Sequence, residues 1–326
     1  MKSFIKNLLL AILVIELAGN LAGVAGIEPS GYRPALNTYA LKSHNAYADR
    51  DSLVGVWHKP NDSWMQVGPC FSTLMTSNQF GARDNNWDTK TNGNLFLGSS
   101  FIEGFGINYG KRLSEQFENL TGKEVYNAGM GGDFGPVQYY MTLKKLKPQI
   151  KFDTCFVFFV LPTDDSLTYT RDEGRYRPYL SDSGITYTTS HAKFPEVKST
   201  GQKLMQFFYQ HSYSYHLYSY FKTRNYLKSS LLLGNKEVKK PDYPHVKKMI
   251  NMFCQDYPDV FFYFVFIPTL SDEGAPSGIQ AHPNMKVVDL SKSLNHKSDY
   301  LVCNSHWNEA GHRNLAQALY SAIYGK

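Results

Sequence analysis

The sequence predicts an α/β protein: a three-layer α/β/α sandwich around a central five-stranded parallel sheet. Three observations carry that expectation. From Asn94 onward, short apolar runs of strand length alternate with segments of helical periodicity. Two of the runs, 154–161 and 260–267, are apolar almost throughout, as a strand covered on both faces by helices must be. With 326 residues, 42% hydrophobic and 15% aromatic, the chain can bury the core that such a sandwich needs.

Taken in order, residues 1–27 come first. Lys2 and Lys6 precede an uncharged run at 8–15, which continues through Glu16 and Asn20 to residue 27. This is an export segment, either a cleaved signal peptide with small residues at Val24, Ala25 and Gly26, or an uncleaved membrane anchor. Glu16 disfavours a mid-membrane position by roughly 2–3 kcal/mol, yet the length matches a bilayer, and the anchor is the preferred reading. The lysines place the amino terminus in the cytoplasm and the rest of the chain outside. Residues 28–93, rich in Asn, Asp, Pro and Tyr with little periodicity, predict an irregular lead-in packed on the main domain, with His58 at its surface.

The main domain spans 94–326. Leu95, Phe96 and Leu97 predict its first strand, and Tyr109, Leu113 and Phe117 a helix that ends near Gly122. A second strand from Glu124 runs into a glycine-rich turn, after which Pro136, Val137, Tyr140, Met141 and Leu143 predict a helix. The apolar run 154–161 is the third strand. Residues 166–245 read as an insertion with no comparable strand: a polar segment, then an aromatic-rich helical stretch at 203–233 expected to pack over the sheet and to bury His211 and His216. A helix through Val246, Met249, Ile250 and Phe253 leads to the strand at 260–267. A short strand at 287–290 follows, then a final helix faced by Leu315, Ala316, Leu319 and Ile323.

Several function classes are excluded or disfavoured. The net charge of +6 is spread along the chain, so no nucleic-acid partner is expected, and the basic stretch at 236–248 reads as a solvated loop. Cysteines at 70, 155, 254 and 303 have no metal-type spacing, so no metal site is expected. Cys155 reads as a buried small hydrophobe, and a disulfide of undetermined pairing is compatible with export. Gly129 and Gly131 lack the full glycine spacing of a dinucleotide fingerprint.

Chemistry gathers where strands end. In a parallel sheet, ligands sit beyond the carboxyl ends of the strands, and Ser100, Gly132, Thr163 and His306 all follow predicted strands. A serine at a strand-to-helix turn stands beside free backbone N–H groups, the pairing that acyl transfer requires of a nucleophile and its oxyanion donors.

Those residues resemble the blocks of the SGNH, or GDSL-type, hydrolases. Gly98-Ser99-Ser100 with Gly104 is similar to the first block, Asn127-Ala-Gly-Met-Gly-Gly-Asp133 to the second, Pro162-Thr163-Asp164 to the third, and His306-Trp-Asn-Glu-Ala-Gly-His312 to the last. The resemblance covers the chain from about Asp51 onward. It implies a flavodoxin-like sandwich, a Ser100 nucleophile, a His306 base, an oxyanion hole from Ser100, Gly132 and Thr163, and no cofactor. Ser99, Thr163 and Asn304 stand where the family usually has Asp, Asn and Asp, so Asn304 would orient the imidazole in place of a carboxylate. Trp57, Pro60 and Asn61, with Asn78, Gly81 and Arg83, fit loosely the lead-in of membrane-anchored members. The resemblance implies an ester substrate, either a small ester or an acylated glycan. It also implies a bacterial inner-membrane protein with a periplasmic domain, or a secreted one if the leader is cleaved.

Overall fold

The computed structural model describes residues 2–25, 49–132, 134–169, 176–187, 200–233, 242–271 and 273–325. Helix α1 (Lys2–Val24) comes first. Two antiparallel hairpins follow, β1 (Asp49–Asp51) with β2 (Gly55–Trp57) and β3 (Ser63–Gly68) with β4 (Phe71–Thr76). Strand β5 (Gly93–Leu97) leads through the short helix α2 (Ser100–Glu103) to α3 (Leu113–Thr121). Next come β6 (Glu124–Asn127), α4 (Pro136–Leu146), β7 (Phe152–Phe159) and α5 (Thr163–Tyr169). A small hairpin, β8 (Pro178–Ser181) with β9 (Gly184–Tyr187), precedes helices α6 (Thr200–His211) and α7 (Tyr213–Leu233). Helix α8 (Pro244–Asp256), strands β10 (Phe261–Phe266) and β11 (Met285–Asp289), and α9 (Glu309–Tyr324) complete the described chain.

The five-stranded sheet has the order β11-β10-β7-β5-β6 with every pairing parallel. Counting its own strands along the chain, that is the 2-1-3-4-5 order of a flavodoxin-like fold. Side-chain alternation divides the core in two. Leu95, Leu97, Val157, Phe159, Phe262 and Phe264 face α4 and α8, while Phe96, Phe156, Phe158 and Val265 face α3 and α9. Burial on both faces is why these strands read as unbroken apolar runs. The direction of winding reverses between β5 and β7, and a crevice opens there beyond the carboxyl ends. Ser100 follows β5 and Thr163 follows β7.

Four expectations change. The lead-in is irregular only in part: 49–76 forms two hairpins that pair locally and so leave no long-range signal in the sequence, while 77–92 contains no helix or strand. The insertion contains the hairpin β8–β9, whose four-residue strands are too short for an apolar run. The aromatic helices α6 and α7 do not cover the sheet; they pack on each other, and α7 packs on α1. The first predicted helix begins at Leu113 rather than Tyr109, because the Glu115 carboxylate accepts from the Arg112 N–H and fixes the start there. Residues 236–241 of the basic stretch, and Gly26 of the small-residue site, lie outside the described residues.

Candidate active site

Ser100 is the first residue of α2, and its N–H lies in the helical turn that has no acceptor within the helix itself. The turn is closed by Gly104 at φ 84°, a conformation that L side chains avoid, with its N–H bonded to Ser100 O. Arg83, fully enclosed, holds that closure from behind by donating to the carbonyls of Glu103, Gly104 and Ile107. The loop after β6 runs alongside: Met130 N donates to Gly98 O at 3.0 Å. A Cβ at Gly129 would lie 2.4 Å from Glu103 N, so only glycine allows the approach. Gly132 sits in this loop, exposed, at φ 75°.

His306 comes from the turn before α9. Trp307 is buried with its indole N–H on Pro268 O at 3.0 Å, and Asn308 caps α9 by accepting from Gly311 N at 2.9 Å. One inward tryptophan and one cap therefore leave the preceding histidine at the rim. There the Ser100 hydroxyl and His306 Nε2 are 2.7 Å apart. His306 Nδ1 lies 2.5 Å from Asn304 Oδ1, which also accepts from the His306 backbone N–H at 3.1 Å.

That second bond fixes the amide with its oxygen toward the ring. Nδ1 must then carry the proton, and Nε2 has a lone pair directed at the Ser100 hydroxyl. Phe101 and Phe105 stack on the imidazole with centroids 4.4 and 4.5 Å away. Burial lowers the His306 pKa to about 4, opposed by the negative charge of Glu103. His312, buried in α9, has its pKa pushed down to about 3 by burial; its Nδ1 accepts from Leu113 N at 3.0 Å, so it ties α9 to α3.

Thr163 is the first residue of α5 and is exposed. The carboxylates beside it face elsewhere. Asp164 is buried, accepts from Val160 N at 2.8 Å, and has its pKa pushed up to about 8 by burial. Asp165 accepts from His245 N and Val246 N at the start of α8. The structure thus joins Ser100, His306 and Asn304 directly, with Gly132 in the loop that follows β6 and Thr163 at the start of α5, after β7.

His58 is not a surface residue. It is fully buried on the Trp64 ring, with Nε2 2.5 Å from Glu103 Oε1. Together His58, Arg83 and Glu103 brace α2 from below. In the sequence Arg83 stands out only through its spacing from Asn78 and Gly81, and nothing there pairs His58 with Glu103. Cys70 and Cys303 form a disulfide, so the residue before Asn304 is tied to the turn between β3 and β4. Cys155 and Cys254 are buried thiols. Among the described residues no cluster of metal-ligating side chains occurs.

No protein-family model and no curated protein matches this sequence. Solved structures do. A lipolytic protein of the G-D-S-L family from Veillonella parvula is 13% identical over 72% of this chain and 99% of its own, with a TM-score of 0.39. A carbohydrate esterase family 2 enzyme with a carbohydrate binding domain, from Corynascus (Myceliophthora fergusii), is 12% identical over 77% of this chain and 71% of its own, at 0.34. An acetyl xylan esterase from the rumen bacterium Butyrivibrio proteoclasticus is 9% identical over 74% and 66%, at 0.32. At these identities and scores the similarity assigns no activity to this chain, and the functional reading rests on its own residues.

Proposed function

We propose that the chain is a serine-dependent carboxyl-ester hydrolase or acyl transferase whose substrate is an acetyl ester on an envelope or secreted glycan. The observation that carries the reading is the hydrogen-bonded line from Ser100 Oγ through His306 to Asn304 Oδ1. Ser100 Oγ attacks the carbonyl carbon as its proton passes to His306 Nε2. When the tetrahedral intermediate collapses, the bond to the alkoxy oxygen breaks and that oxygen takes the proton, leaving acyl-Ser100. Water, or a glycan hydroxyl in transfer, then attacks the acyl group with His306 again as base. We assign the N–H groups of Ser100 and Gly132, with Thr163, to the developing oxyanion. The chemistry calls for no metal or organic cofactor.

An extracytoplasmic substrate is supported by two features. Ser3–Val24 is long and apolar enough to cross a membrane, and a disulfide belongs to an oxidising compartment. We assign α1 as an uncleaved anchor, with the domain outside the inner membrane of a bacterium.

The test is covalent capture together with acyl preference. A fluorophosphonate probe is expected to modify Ser100, read by mass on the tryptic peptide that contains it, and acetyl esters are expected to react faster than long-chain ones. An unmodified Ser100 would favour the second reading, a glycan-binding protein that keeps this fold, for which Asn304 and Thr163 in place of the usual residues are the support.

The pH profile gives an independent check. Only neutral His306 can accept the Ser100 proton, so kcat/KM should be flat from about pH 5.5 upward. It should fall on acidification through the depressed pKa of about 4, well below that of an ordinary histidine. Asn304→Asp places a carboxylate on Nδ1, favours the imidazolium and moves the acid limb up by one or more units. Because Asn304 already fixes the right tautomer, the gain at pH 7 should be confined to the charge effect, about 10- to 100-fold. An unmoved limb would remove Asn304 from the site.

A further inference from the structure

Glu16 is the one acidic residue in α1, and it has partners far along the chain. Its carboxylate accepts from Ser212 Oγ at 2.8 Å, from Tyr213 N at 2.7 Å and from Ser214 N at 3.0 Å, so it caps the amino terminus of α7. Gly19, one turn on, meets the Tyr213 ring so closely that a Cβ would lie 2.0 Å from Cγ. Residues 3–15 of α1, in contrast, are exposed on every side. We propose that α6 and α7 form a re-entrant helical hairpin that enters the outer half of the lipid bilayer beside α1, with Glu16 as the clasp. The proposal rests on the anchor assignment of α1 made above and not on the enzyme assignment.

Lengths decide the matter. The exposed part of α1, residues 3–15, rises about 20 Å, which is short of the roughly 30 Å of hydrocarbon in a bilayer. For α1 to cross, residues 16–24 must lie in the membrane too, and two of these, Glu16 and Gly19, are packed on the start of α7. Glu16 then lies about 12 Å beneath the level of Val24, and the α6–α7 junction lies at that depth with it.

The composition of the hairpin fits this depth. Between Lys203 and Lys222 the chain carries no Asp, Glu, Lys or Arg. Lys222 comes nine residues after Tyr213, about 13 Å along a helix, so the first lysine of α7 reaches the level at which α1 leaves the hydrocarbon. Leu204, Phe207 and Phe208 on α6, with Tyr218 and Phe221 on α7, are 45–62% exposed, an apolar face on each arm. In hydrocarbon both a lone carboxylate and the open N–H groups of a helix start are unfavourable, and each satisfies the other here.

The hairpin also sets where the rim of the sheet lies. Tyr220 packs on the cluster of Cys70, Phe71 and Cys303 together with Phe105, and Phe105 stacks on His306. The Ser100–His306 pair therefore faces the bilayer surface across a few layers of side chains, and substrate would meet it there.

The test uses the full-length protein in phosphatidylglycerol vesicles that contain dibrominated phosphatidylcholine, with a bimane fluorophore on Phe207→Cys, Tyr218→Cys or, as control, the exposed Lys123→Cys. The native cysteines are paired or buried and should not react. Bimane at 207 and 218 should lose at least half its fluorescence to the brominated lipid, while at 123 it should not. Quenching at 207 and 218 no greater than at 123 would overturn the hairpin, whether that face is bare or awaits a protein partner. Glu16→Leu should reduce the quenching at 218; unchanged quenching would overturn the clasp. A chain found shortened at its amino terminus by intact mass, and free of the vesicles, would overturn the anchor assignment instead. An intact, vesicle-bound chain without quenching overturns the hairpin alone.

Discussion

Replacing Ser100 by alanine is expected to lower hydrolysis of an activated acetyl ester by about 10⁴-fold, with little change in the melting temperature. The size follows from what Oγ does. It is the atom bonded to the acyl group in the intermediate, and without it His306 has no proton to take, so the imidazole and Asn304 lose their part in the reaction together. What survives is stabilisation by backbone N–H groups acting on water attack, roughly 10³- to 10⁴-fold over water in the serine-protease systems where it is documented. Stability should change little, because the only side-chain bond lost is one part-buried hydrogen bond to His306, a contribution of about 0.5–1.5 kcal/mol. His306→Ala should match Ser100→Ala, and the double variant should be no worse, since residues that act as a unit are not additive. Equal rates in the parent and the Ser100→Ala protein would sink the enzyme assignment, and glycan binding would then be the property to measure.

Much of this site could be read before the fold was known because its parts obey local rules. Ser100 follows an apolar strand and opens a helix; His306 is held by an inward tryptophan and a capping asparagine immediately after it. A parallel sheet then brings strand ends together whatever the loops do. What escaped was long-range and polar. Glu103 lies one turn from Ser100, but its partner His58 is 45 residues away in a connection with no periodicity, so the pair had no sequence signature and His58 read as a surface residue. Glu16 read as a penalty to membrane insertion because its partners lie 196–198 residues further on. The strand registers of β1–β4 and β8–β9 were hidden because short antiparallel hairpins show little apolar patterning. The legible features were those whose cause lies within one turn or one strand.

Breaking the Cys70–Cys303 disulfide is expected to destabilise the domain by about 3–5 kcal/mol and, separately, to lower turnover at temperatures where the fold survives. The stability term comes from a closure spanning 233 residues of sequence, whose release frees a large part of the unfolded chain. The activity term comes from position. Cys303 immediately precedes Asn304, within a turn whose other ties include Leu301 N to His306 O at 2.8 Å, Asn304 N to Leu301 O at 3.3 Å and His306 N to Asn304 Oδ1 at 3.1 Å. Loosening it lets Oδ1 drift from Nδ1, and an imidazole free to rotate or to change tautomer spends less time with Nε2 on Ser100. Cys303→Ser should therefore lower kcat about tenfold, with a smaller change in KM. Cys70→Ser should do nearly the same although it lies far away in sequence, because both release the same turn. The readouts are the melting temperature with and without reductant and kcat at 15 °C. A reduced protein that melts lower yet keeps full kcat would confine the disulfide to stability and leave the hydrogen bonds of the 301–306 turn as sufficient to hold Asn304 on the ring. A loss of kcat that Cys70→Ser does not share would instead point to the Cys303 side chain itself rather than to the cross-link.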